Sequence, residues 1–401
     1  MSEVANIPQL RFPGFSDEWE ERPLKDVSTF FNGKAYKQAE LLSSGKYPVL
    51  RVGNFFTNNS WYYSNLELDE NKYCDNGDLL YAWSASFGPR IWAGEKVIYH
   101  YHIWKVINHS QVTKKFLFIV LDNETAKMKA QSANGFALLH ITKGTIENWK
   151  INLPTRQEQQ KIAAFLTAVD SKIEQLSKKK ALLGEYKKGL MQQIFSQAIR
   201  FKADDGSAFP VWEEKNIVEL AKTSIGLVTS MTPYYVDKGV PLIRNNDIFQ
   251  NKIRKEKLIR LDYEFDQLNK NRRLFTNDIV TVHTGNIGAS AVIDEELNGC
   301  QGFATLNTRI KNQNEISSSF LCWYYNSTRN IKYALSMATG DGRSNYNLKD
   351  FNKATIPVPS LPEQTKIAAF LTAADNKIEQ VGKQFDESKQ FKKALLQQMF
   401  V

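Results

Sequence analysis

Two stretches of the chain carry apolar residues at alternating four- and three-residue intervals. In the first they fall at Ile162, Leu166, Val169, Ile173 and Leu176, then at Leu183, Leu190 and Ile194. In the second they fall at Ile367, Leu371, Ala374, Ile378, Val381, Phe385, Leu395 and Met399. This is the a/d seam of a coiled coil, interrupted in the first copy by Lys180 and Lys187. Pro154 and Pro359 stand just ahead, where a helix cannot yet have begun. The spacing predicts two long helices of ~35–40 residues, each roughly 50–60 Å long. Gly184, Gly189 and Gly382 weaken them locally, by up to ~1 kcal/mol each relative to alanine.

The pattern elsewhere is different. Before each helical stretch lie about 150 residues rich in aromatic and β-branched side chains, punctuated by Gly and Asn. Tyr47–Phe56, Asp78–Trp83, Lys96–Ile107, Asp278–His283 and Ala304–Lys311 read as strands, and 115–130 and 319–337 as helices.

The chain is written twice. Residues 151–195 and 356–400 align at a shift of 205 without a gap, and 24 of 45 positions are identical. The preceding units match more faintly. Leu10-Arg11-Phe12 answers Ile199-Arg200-Phe201, Trp19-Glu20-Glu21-Arg22 answers Trp212-Glu213-Glu214-Lys215, and YPVLRVGNFFTN from Tyr47 answers VPLIRNNDIFQN from Val240. The fold class that follows is α+β with a pseudo-two-fold internal repeat: two globular units separated by two long antiparallel coiled-coil helices. The boundaries expected are 1–153 and 199–358 for the globular units, and 154–198 and 359–401 for the helical spacers. Each seam needs a partner, and the other copy in the same chain supplies one. The alternative is that each helix packs on its own globular unit. Divergence of the globular units beside near-identical helices implies two versions of one job held on a common frame.

Composition narrows the classes. The 401 residues are 42% hydrophobic and 24% charged, which excludes wholesale disorder and a membrane bundle. No apolar run approaches the ~18 residues needed to span a bilayer. The first residues lack a basic-then-apolar signal pattern, so the expectation is a cytoplasmic protein. Three cysteines (Cys74, Cys300 and Cys322) have neither framework nor zinc spacing. The net charge of +9 permits a polyanionic partner, but the globular units are nearly neutral: residues 1–154 carry +1 and 196–359 carry +3. A cationic surface must therefore come from local loops. Residues 252–273, with eight Lys/Arg and four Asp/Glu, read equally as a phosphate track or a solvated face.

Catalytic signatures are missing. There is no GxxxxGK[ST], HExxH or GxSxG segment, and no [DN]PP[FY] of the kind by which amino-methyltransferases resemble one another. His100 and His102 alternate on a predicted strand and read as one-sided strand residues rather than metal ligands. Asp205 with Glu213-x-Lys215 fits an acidic nuclease triad only superficially. The chain reads as non-catalytic, with no metal or cofactor of its own.

Polar and aromatic residues concentrate instead at predicted turns. In the first unit these are Lys34, Tyr36 and Lys37; Arg51 and Asn54; and Trp83, Ser84, Ser86 and Arg90. In the second they are Thr229, Ser230 and Tyr234; Arg244, Asn245 and Asn246; His283, Thr284 and Asn286; and Arg343, Ser344, Asn345 and Tyr346. Arg reads guanine and Asn reads adenine bidentately in the major groove, while Ser, Thr, Tyr and Lys suit phosphates. Residue by residue they also read as ordinary loop positions; as sets they are candidate DNA contacts.

At these residues the whole chain resembles the specificity (S) subunit of a type I restriction–modification enzyme. IPVPSLPEQTKIAAFL at 356–371 and INLPTRQEQQKIAAFL at 151–166 are similar to that family's proline–EQ–helix junction. MTPYYVDKGVPLIRNNDI from Met231, NDIVTVHTGNIG from Asn277 and GDGRSNYNL from Gly340 resemble its recognition-domain motifs. The first unit departs: FFNGKAYK from Phe30 lacks the Thr-Pro step, and ANGFALLHI from Ala133 lacks the Gly-Arg-Ser core. The resemblance implies two target-recognition domains, each reading one half of an asymmetric, gapped double-stranded DNA site. It further implies spacer helices that dock two modification subunits, which use S-adenosylmethionine to methylate adenine, and two restriction subunits, which use ATP and Mg²⁺. The rival class is a two-headed coiled-coil scaffold whose globular units bind proteins.

Overall fold

The computed structural model describes residues 6–56, 58–84, 87–132, 141–339 and 344–401. Contacts divide the chain into two compact units, Met1–Leu176 with Gln384–Val401, and Ser177–Lys383. Both divisions fall inside a long helix, one spanning Arg156–Phe195 and the other Leu361–Met399. Each unit thus holds a globular domain, the start of one long helix and the end of the other.

In the first unit a four-stranded antiparallel sheet runs in the order Ser28–Asn32, Ile103–Asn108, Leu79–Ala82, Gly88–Ile91. A second sheet runs Tyr62–Ser64, Tyr47–Leu50, Val97–Tyr99, Tyr73–Cys74, with Val49 paired parallel to Ile98. The helix Lys114–Ser132 brings Phe116, Leu117 and Val120 into the core with Phe30, Tyr81 and Trp104. The second unit repeats the plan. One sheet runs Ala221–Ile225, Thr305–Ile310, Ile279–Val282, Ser290–Val292, and the other runs Tyr235–Val236, Ile259–Leu261, Val240–Arg244, Gln301–Phe303. Its parallel strand pairing, Leu242 to Gln301, matches Val49 to Ile98. In each domain a short antiparallel ribbon closes the fold just before the long helix: Glu20–Pro23 with Lys150–Leu153, and Glu213–Asn216 with Thr355–Val358.

Three predicted elements break where the local chemistry demands it. Tyr47–Phe56 is a strand only to Leu50; the chain then turns into the helix Val52–Phe56. Lys96–Ile107 is two strands, Val97–Tyr99 and Ile103–Asn108, parted by a turn at 100–102. The helix expected over 319–337 is two helices, Ser318–Tyr325 and Thr328–Met337. Ser327 stops the first and caps the second, its Oγ accepting from Asn330 N.

The long helices run unbroken through their glycines. Their seam residues are the buried or half-buried ones, and they divide three ways. Ile162, Ala163 and Leu166 sit in the core of the first domain, and Ile367, Ala368 and Leu371 in the core of the second. The opening turns therefore pack on their own domains, as the alternative reading had it. The far ends do the reverse. Leu395 and Met399 enter the first core, with Phe400 edge-on to Trp19 at 5.9 Å, while Met191, Ile194 and Phe195 enter the second. Between them the helices pair. In the second unit Lys187 Nζ donates to Asp375 Oδ1 at 2.6 Å, and Lys180 lies against Gly382. The partner index falls as the first rises, so the helices are antiparallel there.

The EQ dipeptide of each junction does identifiable work. Glu158, fully buried, accepts Arg11 Nε at 2.7 Å and Nη2 at 2.8 Å. Glu363, also fully buried, accepts Arg200 Nε at 3.1 Å and Nη2 at 2.7 Å, and Trp212 Nε1 at 2.9 Å. Gln159 Nε2 donates to the carbonyls of Gln111 and Pro154, and its Oε1 accepts from Thr113 N. Gln364 makes the same set with Glu315, Pro359 and Ser317. A buried carboxylate holds the segment entering each domain, and a buried amide fixes the loop beneath the helix start.

Candidate nucleic-acid interface

In the second domain the ends of separate strands converge on one groove. The strand Val240–Arg244 ends at Arg244-Asn245-Asn246, the strand Ile279–Val282 ends at His283-Thr284, and Phe303-Ala304 links the two sheets. Arg244, Asn245, Asn246, Thr284, Gly285, Ile287, Phe303, Ala304 and Ser344 line a cavity of about 660 Å³. Hydrogen bonds tie the loops into one rim. Asn245 Oδ1 accepts from His283 N at 2.9 Å and its Nδ2 donates to Ala304 O at 3.3 Å. Thr284 Oγ1 donates to Asn345 Oδ1, and Tyr346 N donates to His283 O at 3.0 Å. Loops distant in sequence are thereby fixed relative to one another, as direct readout of a base edge requires.

Beside it, and sharing Arg244, a groove of about 830 Å³ is lined by Phe249, Lys252, Arg254, Glu256 and Lys257. The basic stretch 252–273 divides between the two readings it allowed. Arg273 is clamped by the buried Asp266, Lys255 bridges Asp294 and Glu296, and Arg272 Nη1 donates to Ile225 O at 2.7 Å. Those side chains hold the domain together. Arg254 and Lys257 face the groove.

The first domain carries a differently furnished site at the matching place. Gly33 and Gly226 each approach a backbone carbonyl so closely that a Cβ would stand 2.3 Å from its oxygen, Tyr99 O in one domain and Gly302 O in the other. Parallel bridges follow, Lys34 to His100 and Leu227 to Phe303. The turn His100-Tyr101-His102 thus occupies the place of Phe303-Ala304-Thr305. Around it gather Tyr36, stacked on His100 at 6.2 Å, and Trp83, whose Nε1 donates to Tyr101 O at 2.8 Å and whose ring meets His102 edge-on at 4.9 Å. Burial, with smaller contributions from His102 and Arg51, pushes His100 down to about 4, so the ring is neutral at pH 7. Burial lowers His283 as well. Among the described residues no group of His, Cys, Asp and Glu is placed to hold a metal. Asp205 accepts Ser207 N and Oγ within its own turn.

Several sequence-predicted contacts are corrected. Tyr346 is buried at 1% exposure, packed on Phe351 and Tyr333, and cannot face a ligand. Ser84 is buried. The Asn54 amide donates to the carbonyls of Asn58 and Ser60, stapling its own loop. Arg51 lies over the Tyr62 ring at 4.2 Å, and Arg90 lies 5.4 Å from the Phe55 ring centroid. Lys37, Asn246, Asn286 and Ser344 are exposed. Thr229, Ser230 and Tyr234 are exposed but do not line the Arg244 groove, and Tyr234 stacks on Phe265 at 4.2 Å. Ser86 and Arg343 lie outside the described residues, as does the 133–140 segment. His100 to His102 were missed as a candidate surface because two alternating histidines on a predicted strand look like packing; the turn that gathers them is a tertiary feature.

The model of the type I restriction modification DNA specificity domain matches the chain twice, at residues 16–184 and 211–385. The chain belongs to this family. It is 22% identical over 372 residues, 88% of this chain and 78% of the relative, to the specificity subunit of the type I restriction enzyme EcoBI of Escherichia coli. It is 25% identical over 405 residues to the MjaVIII specificity subunit of Methanocaldococcus jannaschii, covering 96% of this chain and 92% of that one. In fold it is similar to the type I S subunit from M. genitalium, with a TM-score of 0.62, 16% identity and coverage of 98% and 99%. A chain from a structure of the type I restriction–modification system gives a TM-score of 0.57 at 17% identity, covering 96% of this chain and 98% of that one. No described helix is long and apolar enough to cross a membrane.

Proposed function

We propose that the chain is the non-catalytic, DNA-reading subunit of a type I restriction–modification complex, and that it recognises an asymmetric bipartite site in double-stranded DNA. The observation that carries this reading is one loop framework furnished twice with unlike side chains. Arg244, Asn245 and Thr284 rim the groove in one domain, and Trp83, Tyr36 and His100 gather at the matching turn in the other. Equal frames with unequal readers fit two unlike half-sites. The bases between them would go unread, with the paired helices as spacer. Docking of two modification subunits, which use S-adenosylmethionine, and two restriction subunits, which use ATP and Mg²⁺, completes the proposal; those cofactors are assigned to the partners.

The test is coexpression with a modification subunit followed by genome-wide mapping of methylated adenines. A gapped two-part motif is the expected result, and no new methylation counts against the reading. Binding that is insensitive to salt would favour a protein-binding scaffold instead. A DNA reader making several phosphate contacts loses orders of magnitude in affinity between about 50 and 200 mM salt.

A further inference from the structure

Asp247, 1% exposed, sits at the turn after the strand that ends in Arg244. Its Oδ2 accepts Arg244 Nε at 3.0 Å and the Arg244 backbone N–H at 3.1 Å, and its Oδ1 accepts Arg244 Nη2 at 3.4 Å. Arg254 Nη2 reaches the same Oδ1 at 3.2 Å and the Asn246 carbonyl at 3.1 Å. A guanidinium is a rigid planar fork with two donor edges. Holding the Nε/Nη2 edge against a buried carboxylate leaves the Nη1/Nη2 edge as the outward one. Among the described residues Nη1 of Arg244 has no partner, and the side chain borders both grooves of this domain.

We infer that Asp247 is a positioning residue that presents the outward fork of Arg244 to a guanine in the half-site read by the second domain. Guanine alone offers two acceptors side by side in the major groove, O6 and N7, at the spacing of that fork. The inference rests on the DNA-reading function proposed above and adds which base and which buried group. The first domain supplies the contrast. Asn54 stands where the second domain has Asp247; its amide is turned to the Asn58 and Ser60 carbonyls, and Arg51 stacks on Tyr62. A carboxylate-held fork is therefore built into one of the two matching positions and not the other. Preorganisation is the physical gain: an arginine already fixed in its reading pose loses less side-chain freedom on binding.

The experiment compares wild type, Arg244→Lys, Arg244→Ala, Asp247→Asn and the Arg244→Ala/Asp247→Asn double variant. Each is assembled with its modification subunit and titrated at fixed salt against duplexes that differ one base pair at a time. Wild type is expected to prefer guanine at one position of the second domain's half-site. Arg244→Lys and Asp247→Asn should each cut that preference about 10- to 100-fold, with affinity for unrelated DNA changing less than about threefold. Asp247→Asn should add nothing at that position once Arg244 is alanine. Arg244→Lys, which keeps the buried carboxylate, tests the fork if Asp247→Asn does not fold. A uniform loss across all sequences with a lowered melting temperature would assign Asp247 a purely structural role and overturn the inference. So would a half-site with no guanine while the wild-type complex still reads a bipartite sequence. A wild-type complex without any sequence preference would remove the DNA-reading function itself.

Discussion

Lys187 Nζ and Asp375 Oδ1 meet at 2.6 Å in the second unit, and their duplicates, Lys392 Nζ and Asp170 Oδ1, meet at 2.7 Å in the first. Each pair joins one long helix to the other, and a shift of 205 residues turns one pair into its counterpart with donor and acceptor exchanging helices. A duplicated sequence pairing antiparallel with itself makes every inter-helix contact twice, so one favourable ion pair at one register is selected at two places.

Reversing Lys187 alone to Asp should cost about 0.5–1 kcal/mol, since the pair is only part-shielded from solvent, with 20% and 33% of the two side chains exposed. Lysine 187 also lies 5.7 Å from the Trp323 ring, which places the loss toward the upper end. The exchanged pair, Lys187→Asp with Asp375→Lys, should recover most of it. Urea melts of the four proteins at low and high salt check this; a loss that the exchange does not repair would mean the register is held elsewhere.

Glu363→Gln should destabilise by about 3 kcal/mol, because the buried charge opposite Arg200 is lost and the amide nitrogen that replaces one oxygen faces either Arg200 Nε or Arg200 Nη2 with the Trp212 indole, donor against donor. Glu158→Gln should cost less. Among the described residues Trp19 Nε1 has no partner, so only Arg11 is affected. Equal losses in denaturant titrations would show that the indole bond contributes nothing.

Burial holds His100 near 4, below its ordinary value of about 6.5. A depressed folded pKa means the unfolded chain binds the proton first. Stability from this group is therefore complete above about pH 6.5 and is lost as pH falls toward 4. For a half-buried ring, after discounting for solvent screening, the loss is roughly 1–2 kcal/mol. His100→Gln should flatten the pH profile of the first unit's melting between 6.5 and 4; an unchanged slope would show that another group carries it.

Tyr346→Phe removes a hydroxyl that is buried and, among the described residues, without a partner. Stability should stay level or rise by up to about 1 kcal/mol, with sequence discrimination unchanged. Lost discrimination would return Tyr346 to the reading surface.

Replacing residues 1–150 with the matching domain of a related subunit should change one half of the methylated motif and leave the other half and the spacing intact. Methylation mapping reads this directly, and a change in both halves would mean that the domains do not read independently.

The long helices were legible because a 3.5-residue apolar repeat leaves few other solutions, and the duplication because 24 of 45 positions coincide. The loops around Arg244 and His283 were legible as polar sets at strand ends. Their convergence was not, since it depends on a parallel pairing of Leu242 with Gln301 across about sixty residues that no local pattern encodes. Tyr346 was misplaced for the same reason: a Tyr in a Gly/Asn-rich segment looks exposed until the helix bearing Tyr333 packs over it.

The sequence by itself determined the repeat, the two helices, the α+β class and the family, because periodicity and duplication are properties of the chain alone. Only the tertiary structure decided what the seam residues touch. The first turns of each helix serve their own domain and the last turns serve the other copy's, because an apolar stripe specifies burial without naming its partner. It also decided which arginine is held by a buried carboxylate and which lies on a ring. Arg51 and Arg244 occupy matching strand ends, and the difference lies in Asp247, which folds back onto Arg244, against Asn54, whose amide turns away to the Ser60 carbonyl.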